Sequence, residues 1–152
     1  MKTLTLTLAA GLMALAGNAY AQDAAAGEKA FKSCKACHGI VNGDEVIFKG
    51  GKTGPNLFGV IGRQAGSYEG FRYSKSLVAA GEAGLVWTEE LLAEFIQDPK
   101  GFLKKYLDDP KAKSKMTFKA RKGAEDIAAF LASVAPPAEG EGDGADPAAN
   151  DG

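Results

Sequence analysis

The stretch Cys34-Lys35-Ala36-Cys37-His38 decides how the rest of this 152-residue sequence is to be interpreted. It is a C-x-x-C-H motif, which is the signature of covalent haem attachment. Two thiols at this spacing can reach the two vinyl groups on one edge of a porphyrin and form thioethers, and the adjacent histidine then lies under the iron. We therefore expect Cys34 and Cys37 to hold haem c and His38 to be an axial iron ligand.

Three other uses of a cysteine pair compete with haem attachment. A structural disulfide is open to an exported protein, and a Cys-x-x-Cys segment can close one. A thioredoxin-like redox pair would follow a strand inside a βαβ unit, and the sequence shows no such frame. Structural zinc takes four protein ligands, whereas residues 22–152 contain only two cysteines and one histidine. The motif, together with the export signal described below, favours haem.

Met116 is the expected sixth ligand of the iron. It is the only methionine beyond residue 21, and the only histidine is already used. Histidine–methionine ligation raises the reduction potential of haem and leaves no vacant position for oxygen, which favours electron transfer over catalysis. The sequence thus predicts an electron carrier that is not an enzyme and cycles between Fe(II) and Fe(III). A haem enzyme or gas-binding sensor with an open iron site is the alternative, because such proteins share the C-x-x-C-H motif.

The beginning of the chain reads as a secretory signal peptide over residues 1–21. Lys2 supplies a positive start, Leu4 to Ala16 is apolar but too short to span a bilayer, and Ala19-Tyr20-Ala21 resembles a cleavage site. We expect export to the periplasm, cleavage after Ala21 and no stable membrane anchor.

Residues 136–152 form an acidic tail with no large apolar side chain and no base, and we expect it to be disordered. Its five acids bring the net charge of the whole chain to -1. Between the two ends, residues 22–135 are expected to form one folded domain, with seventeen Lys or Arg against fourteen Asp or Glu. The domain has no long basic arm, so nucleic-acid binding has no support.

The apolar pattern of residues 22–135 is helical and predicts an all-α fold. Gly27, Phe31 and Cys34 share one face of a first helix, and Phe130 lies on the apolar face of a last helix that stops before Pro136. A small Gly27 against Phe130 would let these two helices cross closely.

Between these helices, Thr88 is expected to cap one further helix and Pro99 to start the next. Seven glycines from Gly50 to Gly70 predict loops around an apolar centre, and no strand is expected. Haem would supply that centre in a domain of this size.

Together these motifs resemble class I cytochrome c, most closely its bacterial cytochrome c2 and c-550 group. The resemblance runs along nearly all of residues 22–135 and implies helices and loops wrapped around one covalently bound haem c. It rests on G-x-x-x-F before C-x-x-C-H, K-T-G-P-N-L (Lys52 to Leu57), G-R (Gly62 and Arg63), G-F-x-Y (Gly70 to Tyr73), Trp87 and S-K-M-x-F (Ser114 to Phe118).

The resemblance also implies roles for residues of the haem pocket. Pro55 is expected to present its carbonyl to the far nitrogen of His38, which orients the ring. Ser114 is expected to donate to the haem edge near Met116. The residues expected to hold the haem propionates are Arg63, Tyr73 and Trp87.

Phe95 stands where relatives often have a tyrosine near the methionine sulfur. A phenyl ring cannot donate a hydrogen bond, so we expect the sulfur to be a stronger donor to ferric iron. The reduction potential is then expected to be lower.

Basic residues cluster in the segment 100–122, around the predicted exposed haem edge. We expect them to steer a monomeric chain to acidic patches on larger redox proteins, in an association that weakens with salt. The expected partners are a cytochrome bc1-type reductase, a terminal oxidase, a photosynthetic reaction centre or a periplasmic dehydrogenase. The docking residues expected from the sequence are Lys35, Lys100, Lys113, Lys115 and Lys119.

Overall fold

The computed structural model describes residues 23–135, which contain five helices and one short hairpin. The helices are α1 (Ala24–Phe31), α2 (Lys75–Glu82), α3 (Glu89–Gln97), α4 (Pro99–Tyr106) and α5 (Ala124–Val134), and the hairpin pairs β1 (Ile40–Asn42) with β2 (Glu45–Phe48). This helix-rich architecture confirms the predicted fold class. The predicted signal peptide and acidic tail lie outside the described residues. Within residues 23–135, the helices are too short or too polar to cross a bilayer.

The two terminal helices, α1 and α5, cross in close contact. Gly27 is buried in α1, and a Cβ atom at this position would collide with the carbonyl of Asp126 and the Cβ of Phe130 in α5. The ring centroids of Phe31 and Phe130 lie 5.6 Å apart, and the Asp126 carboxylate accepts a hydrogen bond from the Asp23 N–H (3.0 Å). The predicted close crossing at Gly27 and Phe130 is therefore confirmed.

Helices α3 and α4 begin where the sequence predicts. The Thr88 hydroxyl accepts from the Leu91 N–H (3.2 Å), and the Asp98 carboxylate accepts from the Gly101 N–H (3.2 Å). Pro99 occupies the first turn of α4, where no amide donor is needed. The helices bury an aromatic cluster whose ring centroids are 5.0–6.0 Å apart: Trp87, Phe95 and Phe102.

The β1–β2 hairpin shows that the prediction of no strand was wrong. Its strands have only three and four residues, and they are joined through Gly43, whose φ is +57°. Strands this short leave too few alternating positions for a period of two to stand out. At the end of β2, the Phe48 ring packs edge-on against Phe31 at 5.0 Å, so the hairpin rests on the end of α1.

Helix α2 follows the region where glycines predicted only loops, and the sequence did not predict it. The Ser74 hydroxyl caps its start by accepting from the Leu77 N–H (3.3 Å). Gly81 is buried near its end, and a Cβ atom there would collide with the carbonyl of Ala65. This glycine permits close packing inside a helix, and its sequence context does not distinguish that use from a loop.

Candidate haem site

The C-x-x-C-H motif extends the end of α1 as a series of tight turns. The Cys34 N–H donates to the Phe31 carbonyl (2.8 Å), and the N–H groups of Cys37 and His38 both donate to the Cys34 carbonyl (3.1 and 3.0 Å). The two cysteines are not joined in a disulfide. The turns bring the two thiols and the imidazole to the wall of one cavity.

That cavity has a volume of about 460 Å³ and lies between α1, α3, α5 and the loops that join the elements. Much of its wall is apolar, with Leu92, Ile96 and Leu131 among the lining side chains. The cavity brings together every haem-binding and iron-ligating residue that the sequence predicted: Cys34, Cys37, His38, Pro55, Arg63, Tyr73, Trp87, Ser114 and Met116.

The His38 imidazole is held by the loop that follows the hairpin. Its Nδ1 lies 2.8 Å from the Pro55 carbonyl. A carbonyl only accepts, so the proton sits on Nδ1 and the lone pair of Nε2 is available to a metal. Burial lowers the pKa of His38, and the hydrogen bond to Pro55 partly offsets this effect. The imidazole is therefore neutral at pH 7, as metal ligation requires.

Glycines allow this loop to lie directly against the motif. A Cβ atom at Gly54 would collide with the His38 ring, and one at Gly51 would collide with the backbone of Ala36. The Gly54 N–H donates to the Cys37 carbonyl, and the Gly51 N–H donates to the Lys35 carbonyl, both at 2.8 Å. The glycines of this stretch thus serve close approach to the imidazole and to the motif backbone.

Arg63 places a half-buried positive charge in the cavity wall. Its guanidinium donates to the carbonyls of Asn56 (3.0 Å) and Phe58 (3.2 Å) and lies over the Tyr68 ring at 5.0 Å from the centroid. Within residues 23–135, no carboxylate forms an ion pair with it. Burial lowers the pKa of Arg63, and the nearby Tyr73 opposes this effect. A half-buried cation without a carboxylate partner suits an anionic group such as a haem propionate.

Met116 reaches the cavity from residues 112–121, a segment without helix or strand that we call the Met116 strap. The Met116 N–H donates to the Ser114 hydroxyl oxygen (3.0 Å). This bond uses Ser114 as an acceptor, so its own proton can still be donated into the cavity that it lines.

Phe95 is buried in the same cavity wall, next to Trp87 and Phe102. Its ring brings no hydrogen-bond donor to the cavity that Met116 also lines. Phe95 therefore offers no hydrogen bond to the sulfur of Met116.

Asn56 is a site residue that the sequence did not single out. Its amide oxygen accepts from the N–H groups of Val41 (3.0 Å) and Phe58 (3.2 Å), and its amide nitrogen donates to the Val41 carbonyl (2.7 Å) and the Tyr68 hydroxyl (3.3 Å). Asn56 thereby ties β1 to the loop that presents the Pro55 carbonyl. Its place next to Pro55 in K-T-G-P-N-L is the signal that could have found it.

The lysines expected to dock partners are all exposed, but two of them also contact the domain. The Lys115 Nζ donates to the Arg72 carbonyl (2.7 Å), and the Lys119 Nζ pairs with the Asp98 carboxylate (2.9 Å). The other three are Lys35, Lys100 and Lys113. Part of the predicted docking charge is thus already paired within the chain.

The donor set of the cavity fits covalently bound haem. It offers two thiols, a neutral imidazole with an available nitrogen, a thioether and a cation for the propionates, in largely apolar surroundings. Within residues 23–135, no cluster of three or more His, Cys, Asp or Glu side chains could hold a metal ion by itself. Sites of this kind are those of c-type cytochromes.

Comparison with known proteins agrees with this class. Cytochrome c-551 from Roseobacter denitrificans is 56% identical over 135 residues, which cover 87% of this chain and 96% of the relative. Cytochrome c2 from Rhodobacter capsulatus is 54% identical over 134 residues, again 87% of this chain and 96% of the relative. No protein-family model matches the chain.

Solved structures give the same result. Cytochrome c2 from Rhodobacter capsulatus superposes with a TM-score of 0.72 at 57% identity, over 74% of this chain and 97% of that structure. Cytochrome c2 from Paracoccus denitrificans superposes with a TM-score of 0.73 at 52% identity, over 75% of this chain and 97% of that structure. The chain belongs to the cytochrome c2 and c-550 family of class I cytochromes c. It is an electron carrier with one covalently bound haem c, and the alternative of a haem enzyme or gas sensor is not favoured.

Proposed function

We propose that the chain carries single electrons between larger redox proteins of the periplasm, with haem c attached at Cys34 and Cys37 and the iron held by His38 and Met116. The observation that carries this assignment is the convergence of these four side chains on one cavity. When bound, haem c supplies an iron centre that exchanges one electron between Fe(II) and Fe(III).

The protein's part is to keep the surroundings of the iron the same in both oxidation states. The Pro55 carbonyl fixes the imidazole at 2.8 Å, and with haem bound Met116 would supply the second iron ligand, which would keep out oxygen and substrates. We propose that the chain is not an enzyme and that no side chain acts as acid, base or nucleophile. The remaining pocket roles are proposed for Arg63, Tyr73 and Trp87 at the propionates and for Ser114 at the haem edge.

The exposed lysines support docking on acidic surfaces. The partner classes are a cytochrome bc1-type reductase, a terminal oxidase, a photosynthetic reaction centre or a periplasmic dehydrogenase, each meeting a monomeric carrier. Three members of the proposed docking set make no hydrogen bond through Nζ within residues 23–135. They are Lys35, Lys100 and Lys113. We propose that residues 1–21 direct export and are cleaved after Ala21.

The axial role of Met116 is tested by Met116→Leu in the holoprotein, because leucine keeps a similar volume but removes the thioether. We expect loss of the weak ferric absorption band near the red end of the spectrum that marks iron–thioether bonding. We also expect a lower reduction potential and binding of carbon monoxide by the ferrous form. Thr117→Ala, at the exposed neighbouring position, is the matched control and is expected to keep the band. An unchanged spectrum in Met116→Leu would refute the assignment.

A further inference from the structure

The Met116 strap has no secondary structure of its own, so its position depends on contacts with neighbouring elements. Before Met116, the Lys113 N–H donates to the Ser76 hydroxyl of α2 (2.9 Å). After Met116, the Ala120 N–H donates to the Ile96 carbonyl of α3 (2.8 Å). Met116 therefore lies between two backbone attachments of the strap, one to α2 and one to α3.

An ion pair adds a further attachment where α3 meets α4. The Lys119 Nζ lies 2.9 Å from Asp98 Oδ1, with the two side chains 40% and 51% exposed. Asp98 also caps α4 through the Gly101 N–H, so its carboxylate is already fixed in place. The hydrogen bond from Lys119 is the main reason that the pKa of Asp98 lies below its ordinary value. The Asp98 carboxylate is thus ionised at neutral pH.

We propose that the Asp98–Lys119 pair is a positioning device for Met116. It fastens the strap three residues beyond Met116 and so sets how readily another ligand replaces the thioether. This inference rests on the proposed function, in which Met116 is an axial ligand. Since the pair is partly exposed to solvent, its contribution is modest, and pairs of this kind change an equilibrium by roughly two- to five-fold.

The test is competition by imidazole for the iron of the ferric holoprotein, followed by loss of the red absorption band. The variants are Lys119→Gln, Asp98→Asn and the double variant, and asparagine keeps an oxygen that can cap α4. We expect each single variant to bind imidazole roughly two- to five-fold more tightly than the unmodified chain. We expect no further gain in the double variant, because both changes remove the same interaction.

The matched control is the ion pair of Lys105 and Glu94, which joins α4 to α3 at 2.8 Å and does not involve the strap. Lys105→Gln and Glu94→Gln are expected to leave imidazole affinity unchanged. Unfolding by denaturant is measured on all variants, because a purely structural role would move the free energy of unfolding without moving imidazole affinity. Lys119→Gln alone decides the question if Asp98→Asn does not fold.

Two results would overturn the inference. One is imidazole affinity in Lys119→Gln equal to that of the control variants, and the other is additive effects in the double variant. Absence of the red band from the unmodified holoprotein would instead refute the proposed function itself. A normal band with unchanged affinities would refute the role of the ion pair alone.

Discussion

At the scale of single residues, the two proposed iron ligands are held in different ways. His38 is fixed by backbone, through the Pro55 carbonyl at 2.8 Å and a loop that passes its ring at Gly54. Met116 stands on an irregular strap whose attachments include the Asp98–Lys119 ion pair. We therefore expect a competing ligand to displace Met116 from the iron more readily than His38.

The first prediction concerns Phe95, which lines the cavity beside Met116 without offering a donor. Phe95→Tyr introduces a hydroxyl that can donate to the methionine sulfur and weaken its donation to ferric iron. If this hydrogen bond stabilises only the ferrous form, a net contribution of about 0.5–1.5 kcal/mol corresponds to a rise of roughly 20–60 mV in the midpoint potential of a one-electron couple. Redox titration measures this shift.

Phe71→Tyr is the control for this prediction, because Phe71 also lines the cavity but packs on Tyr73, at a centroid distance of 4.8 Å. We expect its midpoint potential to stay near that of the unmodified chain. A folded Phe95→Tyr protein with no rise in midpoint potential would refute the hypothesis that the missing hydroxyl lowers the potential through the methionine sulfur.

The residues of the site differ in how far the sequence could reveal them. Cys34 to His38 are adjacent, so their spacing carries the chemistry without any knowledge of the fold. Asn56 works through bonds to Val41, 15 positions away, and Lys119 through Asp98, which lies on another segment. Such polar pairs follow from the folded arrangement of segments. The motif K-T-G-P-N-L can mark Asn56, but no local pattern predicts its bonding partner or the partner of Lys119.

At the scale of elements, some helices carry local sequence signals, whereas other elements depend on contacts that only the fold creates. Local signals predict where α3 and α4 begin. The Thr88 hydroxyl marks the start of α3 and the Pro99 ring marks the start of α4, and the structure agrees with both. Helix α2 was missed because the sequence context of Gly81 does not distinguish close helix packing from a loop, and the β1–β2 hairpin was missed because its strands have only three and four residues. Gly81 permits helix packing, and Gly43 has a φ of +57° in a turn.

The second prediction concerns the crossing of α1 and α5. Gly27→Ala places a Cβ atom against the Asp126 carbonyl and Phe130, which forces the helices apart. Overpacking of this kind costs about 1–3 kcal/mol and outweighs the better helix propensity of alanine. Denaturant unfolding of the holoprotein measures the loss. Glu28→Ala, at the exposed next position of α1, is expected to stay within about 0.5 kcal/mol. Equal stability of the two variants would contradict the close crossing.

At the scale of the whole molecule, charge is distributed unevenly along the chain. Residues 22–135 carry seventeen Lys or Arg against fourteen Asp or Glu, while the five acids of the tail conceal this excess in the total. Exposed lysines lie on the strap that carries Met116 and on α4. This arrangement supports electrostatic attraction to acidic partners, and the range of that attraction shortens as the salt concentration rises.

The third prediction concerns that attraction. Electron transfer to an oxidase with an acidic docking patch is expected to slow by about ten-fold or more from low to high ionic strength. Lys113→Gln is expected to lower the rate at low salt and to converge on the unmodified rate at high salt, because screening removes the same interaction. Lys29→Gln, on α1 outside the docking set, is the control. A rate that is independent of salt would rule out electrostatic docking, and stopped-flow kinetics provides the measurement.

We propose that His38 and Met116 would together close both sides of the iron, so that the electron carrier leaves no vacant position for oxygen or carbon monoxide. The most direct test is the absorption spectrum of the unmodified holoprotein, ferric alone and ferrous with carbon monoxide. We expect the weak red band in the ferric form and no rapid binding of carbon monoxide by the ferrous form. Absence of that band, together with rapid carbon monoxide binding, would show an open iron site and contradict the claim.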